Sequence, residues 1–263
     1  MLKLNAIQQD KIWGYERWLA STHRDGKQED FARFLGSDYP LIVKVIQANS
    51  ALSVQVHPDD EQARILEGEN ESGKSECWYV LDAADGASLV YGLSGNVKRE
   101  TLKNAIQNGK LEDYLRYVKV KKGDFLFIPA GTVHAIGGGL RLLEVQQASN
   151  TTYRLYDYNR GRELHVEKAL AVIKNSADMS VKPFADFSCD YFSLKKHEIA
   201  GDFSMNKSEN VRLFFVINAK NGSSASSDSN VIPLFAQDII AVSSREAPVF
   251  HGNLSIMEIS ART

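Results

Sequence analysis

Apolar and polar positions alternate over short distances along this chain. The runs Pro40 to Ile46, Trp78 to Leu81, Ser88 to Leu93, Asp124 to Pro129, Arg141 to Gln146 and Thr151 to Tyr158 are apolar or alternating. Their β-branched and aromatic content, with Gly, Asp, Asn or Pro at many boundaries, predicts strands. Between the third and fourth, Leu102, Ala105 and Ile106, then Leu111, Tyr114 and Leu115, recur at helical spacing around Gly109, so Lys98 to Val118 is expected to be a helical insertion. A second helix is expected over Leu164 to Lys174, where Val166, Ala169, Leu170 and Ile173 fall on one face. From about Phe187 the pattern is strand after strand: Tyr191 to His197, Val211 to Ile217, Ile239 to Val242, Pro248 to Phe250 and Leu254 to Ile259. The Ser-rich stretch Asn221 to Asn230 interrupts them and is expected to be an exposed loop. The fold class is therefore mainly β, with a boundary near residues 175–187 between an N-terminal unit, residues 1–180, and a smaller C-terminal unit, residues 187–263. No internal repeat shows.

Composition narrows the function. With 263 residues, 43% of them hydrophobic and 24% charged, the chain can bury a core without staples. A formal net charge of −2 gives no footprint for nucleic acid or an anionic membrane, so the expected partner is a small molecule. No apolar run approaches the roughly 20 residues that cross a bilayer, and the first residues lack the apolar core of a signal peptide; a cytoplasmic location is expected. Cys77 and Cys189 stand outside any CxxC spacing, which points to buried thiols rather than a thiolate metal site or a disulfide framework. Oligomeric state is open between a monomer and a small homo-oligomer.

Three segments carry chemistry. In Leu52-Ser53-Val54-Gln55-Val56-His57-Pro58, hydroxyl, amide and imidazole alternate with apolar residues and would share one face of a strand. Taken alone, this is more often a half-exposed surface strand. In Gly73-Lys74-Ser75-Glu76-Cys77-Trp78-Tyr79-Val80-Leu81 a carboxylate opens an apolar strand; buried without a partner it would cost several kcal/mol, so it faces water or a cation. In Gly123 to Gly137 a strand meets Pro129-Ala130-Gly131 and returns with His134 among apolar neighbours, where a lone histidine would more often be a core residue. Together, His57, Glu76 and His134, helped by Gln55, supply the imidazole and carboxylate set that suits a catalytic zinc with a position left open.

The GDxxxIPAGxxH run resembles the second metal-binding motif of cupin barrels. With LSVQVHPDD, GKSECWYVL and TTYRLYDYNR in the same order, the chain from about Trp13 to Ile173 resembles the class I mannose-6-phosphate isomerases in their short bacterial form. The resemblance implies two cupin-like β-barrel (jelly-roll) units, helices inserted in the first, and one zinc per chain on Gln55, His57, Glu76 and His134. It implies Arg154 as the catalytic arginine, Glu144 as an active-site glutamate, and Ser53, Lys74 and Arg160 as the set binding a sugar phosphate. The implied reaction is the aldose to ketose conversion of mannose 6-phosphate to fructose 6-phosphate through an enediol. Zinc bound to two neutral imidazoles, an amide and one carboxylate keeps about one positive charge, and a fixed guanidinium adds to it where charge develops on oxygen. For the proton transfer, metal-bound water rivals Glu144. His23, His165, His197 and His251 lie outside the motifs and read as structural or exposed. In one departure, the connection usual in relatives between Trp13-Gly14 and the strand with Trp18 is almost absent. Two rivals stay open: another cupin enzyme, whether a different sugar isomerase or an oxygenase, and a non-catalytic sugar-phosphate-binding module.

Overall fold

The computed structural model describes residues 1–174, 179–228 and 230–262. The chain divides into two compact units, one of Gln8–Arg17 with Val43–Phe184, the other of Met1–Ile7, Trp18–Ile42 and Ala185–Thr263. The boundary expected at residues 175–187 begins on residues 175–178, which lie outside the described residues. N-terminal segments belong with the C-terminal unit because Leu2–Lys3 adds as an antiparallel edge strand to Ile239–Val242, a long-range pairing that no local pattern announces.

The first unit carries the predicted metal ligands on two antiparallel sheets. One orders Tyr153–Tyr156, Val54–Val56, His134–Ala135, Ser88–Leu93 and Leu115–Lys119; the other runs from Lys182–Pro183 through Asp124–Ile128, Glu76–Ala83 and Leu140–Gln147 to Leu41–Ala48, Gly14–Ala20 and Ile7–Lys11. Trp78, Val80, Leu126, Ile128 and Leu142 from the second sheet share a buried cluster with Leu89 and Tyr91 from the first and with Ile136, just past the end of His134–Ala135. On the outer face of the first sheet, Val54, Val56, Ala135, Tyr153 and Leu155 pack under the helices Arg99–Gln107 and Val166–Val172 through Leu102, Ile106, Ala169, Leu170 and Val172. This is the mainly β, cupin-like architecture expected.

Several elements differ from expectation. The helical stretch predicted through Val118 is an α-helix to Gln107 and, after Gly109 at φ 67° turns the chain in a region glycine tolerates, a single 3-10 turn over Leu111–Tyr114; only Leu115–Lys119 departs from it, pairing as a strand with Ser88–Leu93. Asn221 to Asn230 is not simply a loop. Ser224–Ser227 pairs with Asn230–Pro233 and with Val249–Ala261, because small residues fit close strands and Ala225 enters the core. The two strands expected over Pro248 to Phe250 and Leu254 to Ile259 are one, Val249–Ala261. The helix Asp60–Glu67 was not expected, although its capping box is written in the sequence: Asp59 takes the N–H of Gln62, whose side chain takes the N–H of Asp59. Cys77 is buried, as expected, whereas Cys189 is half-buried, sitting in the turn after Phe187–Ser188.

Candidate metal centre and cavity

His134, Gln55 and Arg154 form a row across three neighbouring strands, His134 in register with Gln55 and Gln55 with Arg154. Alternation sends their neighbours Ala135, Val54, Val56, Tyr153 and Leu155 beneath the helices and leaves these three polar side chains on the inner face. On the opposing sheet, Glu76 is in register with Gln146 and Trp78 with Glu144. His57 follows the end of its strand and is tied to the Pro-Ala-Gly turn, where Gly131 N–H donates to the His57 carbonyl at 2.8 Å. Motifs far apart in the chain thus meet between two sheets.

Donor atoms of His57, Glu76 and His134 lie within 4.8 Å of one another, and all three residues are buried. The Nδ1 atoms of His57 and His134 lie 2.9 Å from the carbonyls of Thr151 and Thr132. Each Nδ1–H therefore donates outward, and each Nε2 lone pair faces the cluster. His57 Nε2 and both Glu76 carboxylate oxygens are buried without a hydrogen-bond partner, an arrangement that costs stability unless a cation satisfies it. Within a triad whose ligand atoms span up to 4.8 Å, three spacings approach those around a metal: His57 Nε2 is 3.5 Å from Glu76 Oε2, His134 Nε2 is 3.4 Å from Glu76 Oε1, and Gln55 Nε2 is 3.3 Å from His134 Nε2. Bonds of about 2.0–2.1 Å in a tetrahedron give edges of about 3.3–3.4 Å. The two ends of the Gln55 amide are nearly isosteric, so a half-turn presents its oxygen to the cluster.

Charge is arranged to keep these groups in their ligating forms. Burial, reinforced by the nearby Lys74 charge, pushes the His57 pKa down to about 3, and burial lowers that of His134. Burial alone would raise the Glu76 pKa, but Lys74 and the two histidines hold it well below the usual carboxylate range. Lys74 Nζ forms an ion pair with Glu76 Oε2 at 2.9 Å, which offsets part of the cost of burying that carboxylate. Burial would lower the Lys74 pKa, yet Glu76 and Glu144 raise it.

Beside the cluster a cavity of about 330 Å³ is walled by Gln55, Ser53, Lys74, Glu144 and Arg154 among others. Its wall holds five cationic side chains, Lys11, Lys44, Lys74, Arg154 and Arg162, against two carboxylates, Glu16 and Glu144. Arg154 donates from Nε to Ser53 Oγ at 3.3 Å and from Nη1 to the Glu163 carbonyl at 2.9 Å. Glu144 accepts from Trp78 Nε1 at 2.9 Å and has Lys44 Nζ at 3.5 Å; burial, then the charge of Glu76, raises its pKa.

Of the residues expected at the site, Arg160 alone has no place in the cluster or the cavity wall. It donates to the carbonyls of Asp157 and Ala51 at 3.0 and 2.9 Å and pairs with the Asp157 carboxylate. Arg162 lines the cavity instead. Lys44 was missed, although it is the one charge in Leu41-Ile42-Val43-Lys44-Val45-Ile46, the same signal that singles out Glu76. His23, His197 and His251 belong to the other compact unit, each near a carboxylate, of Asp25, Glu258 and Asp202 respectively.

A family model for the phosphomannose isomerase type I catalytic domain matches residues 10–77. The chain is 41% identical over 206 residues to the mannose-6-phosphate isomerase ManA of Bacillus subtilis, covering 71% of this chain and 64% of that one. It is 39% identical over 196 residues to the mannose-6-phosphate isomerase of Streptococcus mutans, covering 68% and 61%. These alignments span less than two thirds of either relative. The crystal structure of the mannose 6-phosphate isomerase from Bacillus subtilis matches 98% of both chains with a TM-score of 0.86 at 26% identity. That of the Salmonella typhimurium enzyme in its apo form matches 99% of both with a TM-score of 0.76 at 15% identity, a likeness of fold.

Proposed function

We propose that this chain, which is similar to type I phosphomannose isomerases, is a zinc-dependent isomerase of that family interconverting mannose 6-phosphate and fructose 6-phosphate. The observation that carries the proposal is the strongly cationic cavity, in a chain of net charge −2, set against a buried cluster of unsatisfied metal-ligand atoms. An anionic sugar suits such a wall. Zinc, held by Gln55, His57, Glu76 and His134, would supply Lewis-acid stabilisation of negative charge on the sugar oxygens.

The chain's own groups do the rest. In the forward reaction carbon 2 of the open-chain aldose loses a proton, carbon 1 gains one, and a proton passes from the oxygen on carbon 2 to that on carbon 1. Glu144 is the proposed proton carrier: it faces the cavity, and its raised pKa makes its carboxylate a better base than a solvated one. Trp78 and Lys44 hold that carboxylate. Arg154 aims a permanent charge at the oxygen that becomes negative in the enediol step, which lowers the barrier more than it tightens substrate binding. Ser53 steadies Arg154 through Nε. Lys74, beside Glu76, is placed to meet substrate near the metal, and Lys11 with Arg162 offers charge to the phosphate. A coupled assay on purified, metal-analysed protein tests the whole. Turnover of mannose 6-phosphate well above that of unphosphorylated mannose, with one zinc per chain, is expected; metal-loaded protein that turns over no aldose phosphate refutes it.

A further inference from the structure

Arg154 stands on an edge strand, since Tyr153–Tyr156 pairs only with Val54–Val56 among the described residues. Its backbone N–H and C=O both point away from that partner, and one residue takes both. His165 N–H donates to the Arg154 carbonyl at 2.8 Å, while Arg154 N–H donates to His165 Nδ1 at 3.2 Å. A neighbouring strand or water ordinarily fills this role at an edge. Because Nδ1 accepts, the ring carries its proton on Nε2. Two residues earlier, the Glu163 carbonyl takes the guanidinium itself. Segment 163–165 thus grips Arg154 at both its backbone and its head, just before the pairing shifts register between Arg154 and Tyr156.

We propose that His165 is a positioning residue for Arg154: its imidazole stands in for a missing sheet neighbour and fixes the direction of the guanidinium in the cavity wall. The inference rests on the reading of Arg154 as a catalytic group. Half-exposed and outside the cavity, His165 reaches the cavity through Arg154, while its carbonyl opens the helix Val166–Val172 by accepting from Ala169 N–H. A side chain that cannot accept would leave the Arg154 N–H to water and let the strand edge move, and misplacement of about 1 Å lowers turnover as much as about 100-fold. Asparagine can restore the acceptor, because its Oδ1 occupies nearly the position of Nδ1; leucine has a similar size and no acceptor.

The test compares His165→Leu, His165→Asn, Arg154→Lys and the double variant His165→Leu/Arg154→Lys, with kcat, KM for mannose 6-phosphate, metal content and unfolding midpoints for each. Expected are a kcat about 10-fold or more lower in His165→Leu with KM within about 2-fold and metal unchanged, and recovery of most of it in His165→Asn. The double variant is expected to be little worse than Arg154→Lys, because two residues that act as one unit are not additive. Normal kcat in His165→Leu beside an impaired Arg154→Lys overturns the role of His165 while sparing that of Arg154. Equal losses in the leucine and asparagine variants, or additive losses in the double variant, overturn it too. An unimpaired Arg154→Lys overturns both readings.

Discussion

The indole of Trp78 donates from Nε1 to Oε2 of Glu144 at 2.9 Å, fixing one carboxylate oxygen across two paired strands. Trp78→Phe keeps an aromatic ring in the core but removes the donor and part of the buried indole volume, leaving a buried oxygen short of a partner beside a small void. A loss of about 1–3 kcal/mol in denaturant unfolding is expected, with zinc retained. Glu144→Gln removes the proposed proton carrier and is expected to lower kcat about 100-fold or more. Near-normal turnover in Glu144→Gln would return the proton transfer to another group.

Metal and activity are expected to leave together. His57→Ala and His134→Ala each take one imidazole from a cluster that Glu76 cannot complete alone, and chelation of the unaltered protein is expected to abolish turnover reversibly. Elemental analysis checks both, one equivalent per chain being expected before chelation. Full occupancy in both variants would place the ion elsewhere.

The metal-free protein is expected to weaken in mild acid. Burial keeps His57 neutral, with its pKa pushed down to about 3, and lowers that of His134, whereas in the unfolded chain both take up a proton near about pH 6.5. The unfolded state then binds more protons, so the stability held by the neutral imidazoles is complete above about pH 6.5 and is lost as pH falls toward about 3. Each histidine contributes a slope of at most about 1.4 kcal/mol per pH unit. Unfolding midpoints of chelated protein from about pH 8 to about pH 5 measure it; a flat profile over that range contradicts the burial argument.

Arg154→Lys keeps a positive charge but loses the planar fork that reaches Ser53 and the Glu163 carbonyl. Turnover about 100-fold lower, roughly 2.7 kcal/mol, with little change in KM or zinc, is expected from a group that acts on charge formed in the transition state.

Phosphate recognition separates two arginines that share one partner. The Asp157 carboxylate holds both Arg160 and Arg162, but only Arg162 reaches the cavity wall. Arg162→Ala is expected to raise KM for mannose 6-phosphate about 10-fold, while Arg160→Ala acts mainly on stability through the loop it ties to Ala51. Steady-state kinetics with both variants decide between them; the reverse pattern would assign the phosphate to Arg160.

Much of the site is legible in the sequence because its chemistry is local. Ser53, Gln55 and His57 alternate on a single stretch, Glu76 interrupts an apolar strand, and His134 closes a turn that Pro129 and Gly131 dictate. Such patterns state which face a side chain takes and that a buried carboxylate needs a cation, without saying which strands will meet. Pairing decided the rest. Leu111, Tyr114 and Leu115 keep helical spacing, yet Leu115–Lys119 is a strand because Ser88–Leu93 lies beside it; Ser224–Ser227 looks like a loop until Val249–Ala261 offers its ladder. Likewise Arg160 and Arg162 are equivalent two residues apart in the sequence. Only the fold turns one toward Ala51 and the other into the cavity, and only the fold sets His165 on the open edge of Arg154. Side-chain alternation is written residue by residue, whereas hydrogen-bond partners and burial depend on segments tens to hundreds of residues away, and those are fixed only when the sheets close.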